Sequence, residues 1–284
     1  MNISGSIKDT RNQVKEWKSQ GLSVALVPTM GYLHDGHKSL MERARKENDK
    51  VVVSIFVNPM QFGPQEDYDS YPRDLERDGA ICQEAGVDWI FHPEVEEMYG
   101  PHFCGYVDMH TLPEKLCGAS RPVHFRGVQT VVSKLFHIIP AQRAYFGQKD
   151  AQQLAIIRRM ARDLSMDVEI VGCPIVREAD GLARSSRNAY LDARERAAAL
   201  VLSRAVAVGK ELAAQGERDA RALVAAMRAV IEAEALARID YVDAVDGVTM
   251  QPVDAIQDGV LVAMAVYIGK TRLLDNFIVG EGAC

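Results

Sequence analysis

No Cys-x-x-Cys pair occurs in the 284-residue sequence. Its five cysteines, Cys82, Cys104, Cys117, Cys173 and Cys284, are scattered and odd in number. That pattern suits reduced, structural or incidental thiols and argues against a disulfide framework or a zinc site. A long apolar run is missing too: the strongest, residues 260–269, is about half of the ~20 residues that a membrane-spanning helix needs. The opening stretch, MNISGSIKDTRNQVKEWKSQ, lacks an apolar export core. Positive charge is not in excess, with Lys plus Arg at 33 against 39 Asp plus Glu and a formal net charge of -6. A chain-wide field for nucleic acid is thereby excluded, although a local basic pocket is not. Internal repeats and low-complexity tracts are absent as well. These absences predict a cytoplasmic protein with no membrane and no nucleic-acid partner.

What is present is core-forming material: 48% of residues are hydrophobic and 25% charged, which excludes disordered and fibrous classes. Residues 22–30 (LSVALVPTM) and 51–57 (VVVSIFV) are continuous apolar runs of the kind that form buried parallel strands. Residues 38–48 between them read as an amphipathic helix, completing a βαβ unit. The alternation continues through a helix over 73–85, strands at 88–91 and 144–146, a helix over 151–164 and a strand at 168–171. It predicts an α/β fold with a Rossmann-like, doubly wound parallel sheet. Residues 100–127, richer in Gly, Pro and His, read as a long functional loop. After residue 181 the composition turns to Ala, Arg and Glu, giving helices over 193–214 and 220–237. Apolar runs at 241–245, 260–267 and 273–279 then suggest a small antiparallel sheet with a hairpin at Gly269. The expected domains are 1–175 and a smaller C-terminal α+β domain, 176–284.

Four motifs fall where such a sheet binds ligands, at carboxyl ends of strands. The first, Met30-Gly31-Tyr32-Leu33-His34-Asp35-Gly36-His37, runs from strand into helix. Two imidazoles beside a helix start can donate to phosphate while backbone N–H groups add to the attraction. A surface accident, or a metal fragment lacking its third ligand, is the plainer alternative. The second, Gly181 to Asn188 with Arg184, Ser185, Ser186 and Arg187, offers hydroxyls and guanidinium groups for a polyphosphate; by itself it equally describes a solvated loop. The third, Gly147-Gln148-Lys149-Asp150 followed by Gln153, offers a cation, a carboxylate for ribose and an amide, while Asp150 suits helix capping as well as ligand contact. The fourth, Asn58-Pro59-Met60-Gln61-Phe62, offers amides for a polar substrate beside a wall that includes Met30. Asn-Pro is also an ordinary turn signal.

Together with Pro28-Thr29, residues 53–57, His124-Phe125-Arg126-Gly127 and residues 177–190, these motifs resemble the pantoate:β-alanine ligase family from about residue 22 to Leu274-Asp275-Asn276. Any one is modest, since His-x-Gly-His with a serine-rich loop also marks class I aminoacyl-tRNA synthetases and nucleotidylyltransferases. All of them in order are specific. The resemblance implies a fold of the His-x-Gly-His nucleotidylyl transferase type. It implies AMP-forming ligation of pantoate and β-alanine through a pantoyl adenylate, with Mg2+ carried by ATP, and a homodimer. Position by position, it implies an ATP site at Met30 to His37, Gly147 to Asp150, Val176 and Arg184 to Arg187. His37 matches a proton donor, and His34, Lys149, Ser185, Ser186 and Arg187 join it in handling the charge on the leaving pyrophosphate. Gln61 and Gln153, with Asn58 and Met30, match the pantoate and β-alanine site, and Arg126 is a candidate for the β-alanine carboxylate. Three positions depart from the family pattern. Arg184 stands where Met or Leu is usual, Gln148 where Glu is common, and Val123 where Gly is usual. The rivals are a related adenylate-forming enzyme with other substrates and a non-catalytic ATP-binding module; the acidic balance and the lack of an anticodon-binding extension disfavour a tRNA ligase.

Overall fold

The computed structural model describes residues 1–64 and 66–280; Cys284 lies outside them. The chain divides into two compact units. One comprises Met1–Met109, Arg121–Gln148 and Ile156–Pro174; the other comprises His110–Ser120, Lys149–Ala155 and the chain from Ile175 onward. The second unit therefore draws in two segments that precede residue 175.

The first unit is built on six strands: β1 (Asn2–Ser4), β2 (Val24–Thr29), β3 (Lys50–Ile55), β4 (Trp89–Phe91), β5 (Arg143–Gly147) and β6 (Glu169–Cys173). Their order is β1-β4-β3-β2-β5-β6, and every pairing is parallel. Val24 to Val27 and Val51 to Val53 are fully buried, as expected of strands covered on both faces. The helices of this unit include α1 (Ile7–Ser19), α2 (Asp35–Glu47), α3 (Leu75–Glu84), α4 (Val95–Met98) and α6 (His124–Ile138). Strand order reverses direction at β2, which has β3 on one side and β5 on the other, and such a switch point is where open α/β sheets bind ligands.

Pro28 helps to open that point. The Ser23 and Thr29 carbonyls accept from Lys50 and Phe56 on the β3 side, whereas the Val24 carbonyl accepts from Gln142 at the start of β5. Polar groups alternate along the strand, so Pro28 falls on the β5 side, where its missing N–H cannot extend the ladder. Pairing with β3 runs from Val24 to Thr29, but pairing with β5 covers only Ala25 and Leu26.

The second unit contains α5 (Cys117–Ser120), α8 (Ala193–Ala214), α9 (Ala220–Glu232) and an antiparallel sheet of β7 (Ala237–Asp246), β8 (Val260–Ile268) and β9 (Thr271–Ile278). The helix α7 (Ala151–Asp163) follows β5 and spans the division between the units. Alternate residues of the sheet, among them Val242, Val262, Met264 and Phe277, share a core with Leu202, Leu223 and Met227 of α8 and α9. Ile268 pairs with Thr271 across a two-residue turn in which Gly269 has φ +56°, the left-handed geometry that a tight hairpin requires.

Several expectations need correction. Helix α9 stops at Glu232, not 237, because Ala237 is taken by pairing with Ile268. The stretch 100–127 is not one loop: Leu112, Leu116 and Cys117 are buried, α5 lies within it, and α6 begins at His124. The elements β1, α1, α4 and α6 are additional to those expected from the sequence. Among the described residues no helix is long and apolar enough to cross a membrane, and Cys82, Cys104, Cys117 and Cys173 are thiols.

Candidate active site

At the carboxyl end of β2 the chain turns sharply. Gly31 has φ +86° and Tyr32 φ +50°, and a Cβ on Gly31 would lie 2.9 Å from Ile55 Cγ2, so the position demands glycine. The turn is held from beneath by Asp78 of α3, which is 1% exposed. Its Oδ2 accepts from Tyr32 N and its Oδ1 from Leu33 N, both at 2.7 Å. Burial raises the Asp78 carboxyl above its ordinary value, and those two amide donors work against the shift. Leu33 points into the core, and the Arg77 guanidinium lies 4.7 Å from the Tyr32 ring centroid.

His34 caps α2, and Asp35 opens its first turn. Gly36 N donates to His34 Nδ1 (3.1 Å) and His34 N donates to His37 Nδ1 (3.3 Å), a reciprocal capping box made of two histidines. The rings lie 4.0 Å apart, tilted by 34°. An Nδ1 that accepts carries no proton, so each neutral ring holds its proton on Nε2. The cap thus fixes both imidazoles as Nε2–H donors, the form that phosphate oxygens need.

Beside this turn, Asn58 and Gln61 follow β3. Asn58 is 1% exposed. Its Oδ1 accepts from Met60 N (3.3 Å) and from Tyr99 Oη (2.7 Å), and its Nδ2 donates to Gly127 O and to Gln61 Oε1, both at 3.1 Å. All four of its hydrogen-bonding positions are therefore taken by protein. Gln61 Nε2 donates to Met30 Sδ (3.1 Å). The main chain of Gln61 is clamped as well, its carbonyl accepting from His124 Nδ1 (2.9 Å) and Arg121 (3.4 Å), while Arg121 Nε holds Glu66 at 2.8 Å. Sequence reasoning missed Asp78, Tyr99 and Arg121. Gly147 ends β5 and Gln148 begins the single 3-10 turn that follows.

In the second unit, Lys149 and Asp150 complete that turn. Lys149 Nζ is 4.0 Å from Asp150 Oδ2, and the Lys149 carbonyl accepts from Asn276 Nδ2 of β9 (2.9 Å). Gln152 is buried and donates to the Leu112 and Lys115 carbonyls, while Gln153, one residue on, is only half-buried.

Residues 176–184 double back on themselves: Arg184 N donates to Val176 O (2.9 Å), and Arg177 bridges Ala183. The turn is tied to β9 by a bidentate pair, Arg177 to Asp275 at 2.7 and 2.8 Å. Glu178 is a hub, receiving Asn188 Nδ2 (2.7 Å), Arg196 (2.8 Å) and Arg184 (3.2 Å). The unusual Arg184 therefore has a partner within its own turn. Ser185 caps the 3-10 helix Ser186–Tyr190, its Oγ accepting from Arg187 N (3.3 Å).

Burial works to raise the Glu178 carboxyl, but Asn188 and the arginines outweigh it and hold it below the ordinary value. A depressed folded value means that this group stabilises the turn above the ordinary glutamate range near ~4.3. That contribution is lost as pH falls through the folded value. Acid unfolding followed in the wild type and in Glu178→Gln should show a shallower acid limb in the variant. Parallel limbs would remove Glu178 from the pH response.

Within the first unit the structure thus brings together Met30, Asn58 and Gln61, and pairs His34 with His37. Within the second it sets Lys149 beside Asp150 and joins Val176 to the Arg184–Arg187 turn. Among the described residues no group of three or more His, Cys, Asp or Glu side chains could hold a metal ion.

The family model described as pantoate-beta-alanine ligase matches residues 2–278. The pantothenate synthetase of Ruminiclostridium cellulolyticum is 61% identical over 277 residues, 98% of each chain, and that of Enterococcus faecalis is 60% identical with the same coverage. Among solved structures, pantothenate synthetase from Thermus thermophilus superposes with a TM-score of 0.94 at 47% identity, covering 98% of this chain and 99% of that one. The pantoate-beta-alanine ligase from Francisella tularensis, solved in complex with beta-gamma ATP and beta-alanine, gives 0.80 at 32% identity over 99% of each. A nucleotide-type sheet, a histidine-capped helix at its switch point and a match along nearly the whole length agree: the chain belongs to the pantoate-beta-alanine ligase family.

Proposed function

We propose that the chain condenses pantoate with β-alanine in two steps that consume ATP. In the first, a pantoate carboxylate oxygen attacks the α-phosphorus; the bond to pyrophosphate breaks and pantoyl adenylate forms. In the second, the β-alanine amine attacks the acyl carbon, loses a proton and displaces AMP. The observation that carries this reading is the histidine capping box at the sheet's switch point, which presents two Nε2–H donors where a nucleotide phosphate is expected.

The chemistry divides among the chain's own groups. Meeting the charge that builds on the leaving pyrophosphate is the task this reading gives to His34, His37, Lys149, Ser185, Ser186 and Arg187, as hydrogen-bond donors and cations. His37 is the proton donor in this assignment. Backbone and side chains of Met30 to His37, Gly147 to Asp150, Val176 and Arg184 to Arg187 hold the nucleotide. Gln61 and Gln153 bind pantoate, and Asn58 and Met30 shape the surroundings of Gln61. Magnesium enters with ATP, bound to its phosphates, in keeping with a metal that retains most of its waters. The same reading makes residues 1–175 the part that binds ATP and pantoate and 176–284 the lid, in a cytoplasmic homodimer.

The test is pyrophosphate exchange into ATP with pantoate present and β-alanine absent, followed by addition of the amine. Pantoate-dependent exchange, with AMP and pantothenate appearing only after β-alanine is added, is expected. Folded protein that binds ATP yet gives no exchange would overturn the adenylate reading.

A further inference from the structure

Gln61 can present either end of its amide to a substrate, and the two ends have opposite polarity. Its orientation is settled by neighbours whose own polarity is not negotiable. Met60 N–H can only donate and the Gly127 carbonyl can only accept, and these two grip opposite ends of the Asn58 amide. Asn58 is therefore fixed with Oδ1 toward Met60 and Nδ2 toward Gly127. Its remaining N–H reaches Gln61, which must answer with Oε1. Gln61 Nε2 is left against Met30 Sδ, a weak acceptor that a substrate oxygen readily replaces.

The remaining lone pair of Asn58 Oδ1 is filled by Tyr99 Oη at 2.7 Å, against a longer 3.3 Å bond from Met60 N. Tyr99 is itself held firmly, its ring 4.9 Å from Phe103 and 6.1 Å from Phe56, with Lys134 Nζ 5.8 Å from the ring centroid. Burial raises its hydroxyl well above the ordinary tyrosine value, so it remains a donor.

We propose that Tyr99 is a positioning residue for the acid substrate: Met60 and Gly127 set the polarity of the Asn58–Gln61 pair, and through the relay Tyr99 Oη, Asn58, Gln61 the tyrosine steadies the Gln61 amide so that its N–H, which lies against Met30 Sδ, meets an oxygen of pantoate. The inference rests on the pantoate reading above. Without the hydroxyl, Asn58 Oδ1 keeps only its longer bond, the amide pair rocks, and the Gln61 donor loses its direction. The ring and its packing stay, because phenylalanine retains them.

The test is a double-mutant cycle of Tyr99→Phe and Gln61→Ala, read as KM for pantoate and for ATP in the exchange assay, with pantoate affinity measured by calorimetry. Tyr99→Phe alone should raise the pantoate KM about tenfold, the scale of one buried hydrogen bond, and leave the ATP KM unchanged. In the Gln61→Ala background the same change should cost less than about twofold, because linked groups are not additive. Equal cost in both backgrounds, or equal loss for ATP and pantoate, would reduce Tyr99 to packing and overturn the relay while leaving the activity in place. Wild-type protein without pantoate-dependent exchange would overturn the pantoate reading itself, and the relay with it.

Discussion

Replacing Lys149 with alanine should slow pantoate-dependent pyrophosphate exchange by ~10²–10³, the range found when one preorganised group that stabilises developing charge is deleted. The structure makes this substitution a clean probe of the ammonium. The main chain at Lys149 is held independently of its side chain, since its carbonyl accepts from Asn276 Nδ2 at 2.9 Å and Asn276 is buried in β9. Truncation therefore removes charge without releasing the turn. The nearest carboxylate, Asp150, is 4.0 Å away and half-exposed, a pair too long and too solvated to matter for folding. Thermal stability should stay close to wild type, and KM for pantoate should change little compared with kcat, because in the proposed mechanism the missing interaction forms as pyrophosphate departs. An unchanged exchange rate would strike Lys149 from the mechanism. Arginine at this position should restore only part of the rate, since its planar guanidinium places charge differently from an ammonium.

What could be seen in the sequence depended on whether a residue's neighbours were close along the chain. The strands β2 and β3 were legible because parallel strands buried on both faces are continuous apolar runs, here LSVALVPTM and VVVSIFV. The histidine pair was legible because helix capping is local. Helix α6 was not, for the opposite reason. Eleven of its fifteen residues are buried, the polar Gln129, Thr130 and Ser133 among them, and it begins in a stretch rich in Gly and His that resembles a loop. The strand β1 has three residues, two of them exposed, and leaves no pattern at all. Asp78 and Tyr99 were invisible because their partners lie 45 and 41 residues away. A buried aspartate in α3 looks like any first-turn helix acid until the fold sets it beneath Tyr32 and Leu33. The family resemblance supplied Gln61 as a candidate, but it could not supply the support beneath it, which comes from the packing of α6, Arg121 and the Tyr99 region against residues 58–61.

That packing sets the second large effect, expected at Gly127. A methyl group there would lie 2.3 Å from the Met60 carbonyl oxygen, 2.4 Å from its carbon and 2.6 Å from Gln61 Cα. All three are main-chain atoms, so no side-chain rotation can relieve the clash; either α6 or the 58–61 turn must move. Overpacking of this kind costs about 1–3 kcal/mol and occasionally more, and with backbone as the obstacle Gly127→Ala belongs at the upper end. The functional loss should exceed the loss of stability. Asn58 Nδ2 is bonded to Gly127 O, and Gln61 is bonded in turn to Asn58, so the displacement passes directly to the amide proposed to meet pantoate. A misplacement of about 1 Å is enough for a ~10²-fold fall in turnover. Gly79 is the matched control. It lies within α3, and a Cβ built there meets nothing within 4 Å. Gly79→Ala should therefore be neutral or stabilising by ~0.5–1 kcal/mol, as for any helix-interior glycine given room. Thermal unfolding and pantoate titration of both variants decide the matter. If Gly127→Ala melts with the wild type and binds pantoate as tightly, the approach of α6 to this turn does not constrain the site; if it folds yet fails to bind, the glycine of His124-Phe125-Arg126-Gly127 is there to let a helix press Gln61 into place.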